Sequence, residues 1–131
     1  MTLLTYAAVM AGGALGVAAR MFLSNVVADH FGQAFPWGTF LVNVIGCFVI
    51  GLFAGLTGPE SSYLTSPLLR QVVMIGVLGG FTTFSSFSLQ TIHLLADGEY
   101  LYAGGNVLGS VVLCLVATWI GLLAAGALQP H

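Results

Sequence analysis

The chain has 131 residues, 58 % of them hydrophobic and 5 % charged, with 2 Lys+Arg, 4 Asp+Glu and a formal net charge of -2. Soluble domains carry roughly 25 % charged residues, so this chain cannot coat a globule with a solvated surface. That excludes a water-soluble enzyme, a nucleic-acid binder and a disordered tail, and 2 basic residues make no patch for phosphates. The 18 glycines suit membrane helices packing backbone to backbone. The composition therefore predicts an all-α integral membrane protein embedded in a lipid bilayer.

Four apolar runs follow, each at or above the ~20 residues that cross a hydrocarbon core. The first, about 3–27, stops at Asp29-His30-Phe31-Gly32. It has no basic residue before Arg20, so it lacks the charged start of a cleaved signal peptide and reads as a retained helix. Ala8, Gly12, Gly16 and Arg20 are spaced four apart and share a face. Arg20 closes the stripe near the interface, where it either packs with its head snorkelling to water or draws anions into a vestibule.

The second run, 37–56, follows Pro36 and ends at Thr57-Gly58-Pro59-Glu60. Thr39 and Asn43 share one of its faces, either as hydrogen-bonding glue between helices or as the lining of a wet cleft where Asn43 donates its NH2 to an anion. The third run, 68–95, precedes Asp97-Gly98-Glu99 and holds Gly76-Val77-Leu78-Gly79-Gly80-Phe81-Thr82-Thr83-Phe84-Ser85-Ser86-Phe87-Ser88 at its middle. Glycines, adjacent threonines and serines make a poor continuous helix. A break is expected near Gly79 to Thr83, with Thr83 or Ser85 capping the restarted half. Broken membrane helices line cavities or bind ions: half-helix N-termini favour anions and unwound carbonyls favour Na+. Phe84 and Phe87, three apart, either pack in the core or offer electropositive ring edges to an anion that has shed water.

The fourth run, 100–128, carries Asn106, Ser110, Cys114 and Thr118, each four on from the last. They form a polar ladder that winds slowly around the helix, with Gly105 and Gly109 beside it as a packing pair. Cys47 and Cys114 read as small buried residues without a disulfide framework. Trp37, Tyr63, Tyr100 and Tyr102 fall at or near run ends, where aromatic rings favour the interface.

No carboxylate lies inside a run, since Asp29, Glu60, Asp97 and Glu99 are all in connections. Hydroxyls, amides and rings donate hydrogen bonds and suit an anion better than a cation. His93 lies near the end of the third run and His30 and His131 lie outside the runs, none at metal-ligand spacing. No catalytic motif is present, so an enzyme is not expected. If helices alternate, Arg20 and Arg70 fall on opposite sides and the positive-inside rule has nothing to act on. Such a chain inserts both ways up, or else in one orientation set by other signals. Four helices are few to enclose a pathway, so a homodimer is expected, with an antiparallel arrangement open to it.

Three motifs, Gly12-x3-Gly16-x3-Arg20, Gly38-Thr39-x3-Asn43-x2-Gly46 and Gly79-Gly80-Phe81-Thr82-Thr83-Phe84-Ser85-Ser86-Phe87-Ser88, stand in this order. In order and spacing the chain resembles the Fluc (CrcB) family of bacterial fluoride channels. The resemblance implies an antiparallel dual-topology homodimer with two fluoride pores in the bacterial inner membrane. It places Phe84, Phe87, Asn43 and the track Asn106, Ser110, Cys114 and Thr118 along each pore, and a structural Na+ at the dimer interface on backbone carbonyls of Gly79 and Thr82. Thr39, Thr83, Ser85, Ser88 and Gln90 are further polar candidates for the pore lining. Gln90 stands where members often carry Glu, which keeps the hydrogen bonding and removes ionisation. Asn106 replaces a Tyr common in some members, and Cys114 replaces a hydroxyl. The expected function is passive, fluoride-selective export from the cytoplasm. The rivals are a small dimeric multidrug exporter, against which the missing intramembrane acid counts, and a structural subunit without transport.

Overall fold

The computed structural model describes residues 2–61, 63 and 65–130; His131 lies outside them. Every regular element among the described residues is helical. Helix α1 spans Leu3–Phe31 and α2 spans Trp37–Leu56. A composite segment follows, made of α3 (Pro67–Gln71), a π-helical stretch (Val72–Val77), α4 (Leu78–Phe81) and α5 (Phe84–Ala96). Helix α6, Tyr100–Leu128, ends the fold. Counting the composite as one, the described residues hold 4 helices long and apolar enough to cross a membrane.

Local chemistry sets the element ends. Thr2 caps α1 by accepting the Thr5 N–H at 3.2 Å. The helix continues through Asp29 and His30, which are exposed and tolerated there, to Gly32, whose φ of 78° takes the chain out of the helix. Ser66 accepts the Leu69 N–H at 3.1 Å with Pro67 behind it, a favourable start for α3. The turn between α5 and α6 uses Gly98, φ 76°.

The π-helical stretch has no counterpart in the apolar pattern of the sequence. It arises from shifted hydrogen bonds, such as that from the Leu78 N–H to the Val73 carbonyl, and side-chain hydropathy is blind to such a shift. Its consequence is close backbone packing against α1. A Cβ on Gly12 would stand 2.8 Å from the Val72 carbonyl oxygen, one on Gly76 2.7 Å from that of Val9, and one on Gly80 2.6 Å from that of Gly13. Gly16 lies tighter still, against the Val77 carbonyl. The residue numbers rise together along this contact, so α1 runs parallel to the composite segment.

Helices α2 and α6 are also parallel and meet the same way: Gly51 abuts Thr118, Gly121 abuts Phe48, and Gly55 meets Ala125. Gly109 faces the Phe40 ring, 3.1 Å from where its Cβ would stand. Gly105 does not pair with it. A Cβ there has nothing within 4 Å in the single chain. Within one chain, of the expected packing pair only Gly109 makes a contact.

Candidate ion pathway

Two cavities lie on either side of a buried polar layer. The first, of about 560 Å³, opens where α1 and α5 end and α2 and α6 begin. Ser24, Asn25, Thr39, Gln90, His93 and Tyr102 line it together with two carboxylates, Asp97 and Glu99. Phe35 beside it stacks with Trp37 at 4.7 Å and with Phe40 and Tyr102 at 5.8 Å between ring centroids. The second cavity, about 390 Å³, is lined by Asn43, Cys47, Thr82, Thr83, Phe84, Phe87, Ser110 and Cys114, with Gly79 at its edge. Thr39 and Asn43 are one turn apart on α2, and Gln90 and Phe87 one turn apart on α5, so the two cavities are successive levels of one bundle.

The second cavity is shaped by the two residues between α4 and α5. Thr82 has ψ 159°, and Thr83 has φ -152° and ψ 119°, both extended. Asn43 brackets this gap from α2: its Nδ2–H donates to the Thr83 carbonyl at 2.9 Å and its Oδ1 accepts the Thr83 N–H at 2.8 Å. The Asn43 amide thus satisfies backbone groups that helix continuation would have paired, and one Nδ2–H remains for a ligand. Thr83 Oγ1 in turn accepts the Ser86 N–H at 3.1 Å, capping α5, and lies 3.4 Å from Ser85 Oγ.

These bonds bear on a cation as well. A continuous helix would aim the Thr83 N–H at the Gly79 carbonyl and the Ser86 N–H at that of Thr82, yet both N–H groups bond elsewhere. The Gly79 and Thr82 carbonyls are therefore free of those helical donors, and hard neutral oxygens are the donor set that suits Na+. Among the described residues no group of 3 or more His, Cys, Asp or Glu is placed to hold a metal.

Phe84 and Phe87 stand 5.4 Å apart with planes inclined at 46°. Phe87 is 9 % exposed, whereas Phe84 is 77 % exposed and projects from the surface of the single chain. The ladder on α6 divides. Ser110 and Cys114 line the second cavity, but Asn106, 1 % exposed, lies in the layer between the cavities. Its Oδ1 accepts from Ser110 at 3.3 Å, its Nδ2–H donates to Thr91 Oγ1 at 3.0 Å, and Thr91 donates to the Phe87 carbonyl at 2.8 Å. Thr91, four residues after Phe87, is the member that the sequence reading missed. Thr118 bonds back to the Cys114 carbonyl at 3.0 Å and lies in the α2–α6 contact, outside both cavities.

Of the remaining candidates, only Ser85, through Thr83 Oγ1, touches this cluster. Arg20 is half-buried and lines neither cavity, though Ser24, one turn further along α1, lines the first. Thr39 is buried against the first cavity. Gln90 shares that lining, with its Oε1 buried and without a hydrogen-bond partner among the described residues. Ser85 and Ser88 are exposed on α5.

The bracket gives a prediction. Asn43→Ala leaves the Thr83 N–H without its acceptor and a part-buried carbonyl short of a donor, at about 1–3 kcal/mol for each unsatisfied group. The expected outcome is a clearly lowered melting temperature in detergent; a wild-type melt would show that the bracket is dispensable.

A helical bundle of four membrane-capable spans, with a largely apolar cleft that carries amide, hydroxyl and thiol groups and no acidic side chain at its second level, defines a small multi-pass membrane protein. Comparison narrows this further. The family described as CrcB-like protein, Camphor Resistance (CrcB), matches residues 7–122. A fluoride-specific ion channel FluC from Opitutus terrae is 59 % identical over 124 residues, covering 95 % of this chain and 94 % of that one. Proteins of the same name from Methylocella silvestris and Rhodospirillum rubrum are 52 % and 51 % identical, covering 95 % and 93 % of this chain and 95 % of each relative. The chain belongs to the CrcB-like family.

Proposed function

We infer that this protein is a fluoride-specific ion channel and not an enzyme. The relatives that bear that name align along nearly its whole length. The observation that carries the reading to particular residues is the Asn43–Thr83 bracket. It holds an extended gap open beside a cleft and sets the α5 N-terminus and the Phe84–Phe87 pair on that cleft.

The mechanism follows from what lines the route. An anion entering the first cavity passes the exposed Asp97 and Glu99 carboxylates, which oppose it, and then meets Thr39, Gln90 and the neighbouring amides and hydroxyls, with Arg20 a turn below Ser24. Past Phe87 it meets ring edges and the spare Asn43 N–H, each a partial positive charge replacing part of a hydration shell, and the Ser110 hydroxyl joins them when its hydrogen turns from Asn106 Oδ1 to the ion. Hydrogen bonds to a small hard anion are strong, so several modest sites in series let the ion leave again. No carboxylate lines the second cavity, and the two that line the first, Asp97 and Glu99, lie in the turn between α5 and α6, so the cleft within the spans offers no ion-exchange site for a protonated drug, which favours the channel over a multidrug exporter. Flow is passive, from the cytoplasm across the bacterial inner membrane, and lowers fluoride toxicity.

The working unit is an antiparallel homodimer. Phe84 is 77 % exposed, and Gly79, Ser85 and Ser88 are exposed beside it, so a second copy laid on this face would complete the ring box and bring those hydroxyls to the pore. A structural Na+ fits the same face, held by the Gly79 and Thr82 carbonyls, where it would neutralise converging backbone dipoles.

Expression in a bacterium stripped of its own fluoride export tests the function. Restored growth in millimolar fluoride, with no gain in resistance to cationic dyes, is expected; dye resistance without fluoride resistance would support the exporter instead. With Arg20 and Arg70 the sole Lys+Arg residues, both orientations are expected in the membrane. C-terminal reporters active on opposite sides should both give signal, and a signal from one side alone would refute dual insertion.

A further inference from the structure

Two thiols stand on the proposed pathway with no role in it beyond that of a weak donor. Cys47 on α2 and Cys114 on α6 are half-buried free cysteines lining the second cavity, near enough to each other to interact electrostatically. The packing explains why. Parallel helices α2 and α6 touch backbone to backbone where Gly51 meets Thr118, and Cys47 and Cys114 each stand four residues before those contact points. The thiols therefore share a level, one turn from a contact that holds the helices together.

We propose that Cys47 and Cys114 form a two-thiolate site for a thiophilic divalent d10 cation, Hg2+ in practice, whose occupancy blocks the cleft. Soft thiolates select soft metals. Zn2+ wants four ligands, and among the described residues no third His, Cys, Asp or Glu joins this pair, whereas two sulfurs complete a linear mercuric centre. In the binding step with mercuric chloride two S–H and two Hg–Cl bonds break, two Hg–S bonds form, and two protons and two chloride ions leave to bulk water. Sulfur and mercury keep their oxidation states. The product is neutral, which matters at membrane depth, where a net charge is costly; Ag+ or Cu+ on the same thiolates would leave a charge of -1. The bridged metal lies beside Asn43, Phe87 and Ser110, in a cavity of about 390 Å³. The binding claim stands on the thiol pair alone, while the block rests on the fluoride-channel reading.

The test titrates the full-length protein with mercuric chloride, reading bound metal, free thiols and, in liposomes, fluoride efflux. One Hg2+ per chain should consume both thiols and survive a monothiol competitor that strips Cys47→Ser and Cys114→Ser at least tenfold more readily. Efflux should fall at least tenfold relative to the same metal-free sample and recover with excess dithiothreitol. Two metals per chain, or equal stripping from wild type and single variants, overturns the site; full efflux with the metal bound overturns the block. Absence of efflux before any metal is added contradicts the channel reading instead, and the stoichiometry still decides whether the paired site exists.

Discussion

Phe84→Ile and Phe87→Ile are each expected to cut fluoride efflux at least tenfold. The substitution keeps an apolar side chain and removes the ring edge, the feature that can face an anion favourably. A tenfold loss corresponds to about 1.4 kcal/mol on the barrier, within reach of one lost edge at an ion that has given up water. The two positions control for each other. Phe84, at 77 % exposure, contributes little to the packing of a single chain, so loss of flux from a Phe84→Ile variant that still purifies as a dimer reports on the route rather than on folding or assembly. Phe87, at 9 %, is packed, and its variant should also melt somewhat lower. Wild-type efflux in both variants would remove the ring pair from the pathway.

Gly16→Leu is expected to yield no folded, monodisperse protein. A Cβ at this position runs into the Val77 carbonyl and stands 2.9 Å from the Phe81 nitrogen. These are backbone atoms of the π-helical stretch and of α4, which no rotamer change can move aside. Overpacking of side chains costs 1–3 kcal/mol, and a backbone clash belongs at or above about 3 kcal/mol. The displaced segment leads directly into Thr82 and Thr83, so any protein that survives should also lose flux. Gly13→Ala is the matched control, because its Cβ meets only the Gly76 carbonyl oxygen at 3.8 Å, an ordinary contact. A normal melt for Gly16→Leu would show that α1 does not pack as described.

These expectations show which features a single sequence carries. Long apolar runs are local, so four membrane-capable helices can be read from composition and punctuation. The Gly12–Gly16 stripe is likewise legible as a close-packing face, and its partner, a π-helical turn, is not. Asn43 and Thr39 can be placed on one face from their spacing, but the bond that occupies Asn43 joins it to a residue 40 positions away, and no periodicity reports such a pairing. The α6 ladder shows the same limit. Spacing treats Asn106, Ser110, Cys114 and Thr118 alike, while packing against α5 sinks Asn106 behind Thr91 and the α2 contact takes Thr118. Spacing likewise pairs Gly105 with Gly109, while within one chain only Gly109 meets a neighbour, the Phe40 ring.

The central claim, that this chain conducts fluoride selectively, is tested most directly by ion efflux from liposomes holding the purified protein. Fluoride appearing at an ion-selective electrode within seconds of ionophore addition, with chloride retained under the same gradient, is the predicted result. Retention of both ions by liposomes containing folded protein, or release of both at equal rates, would contradict it.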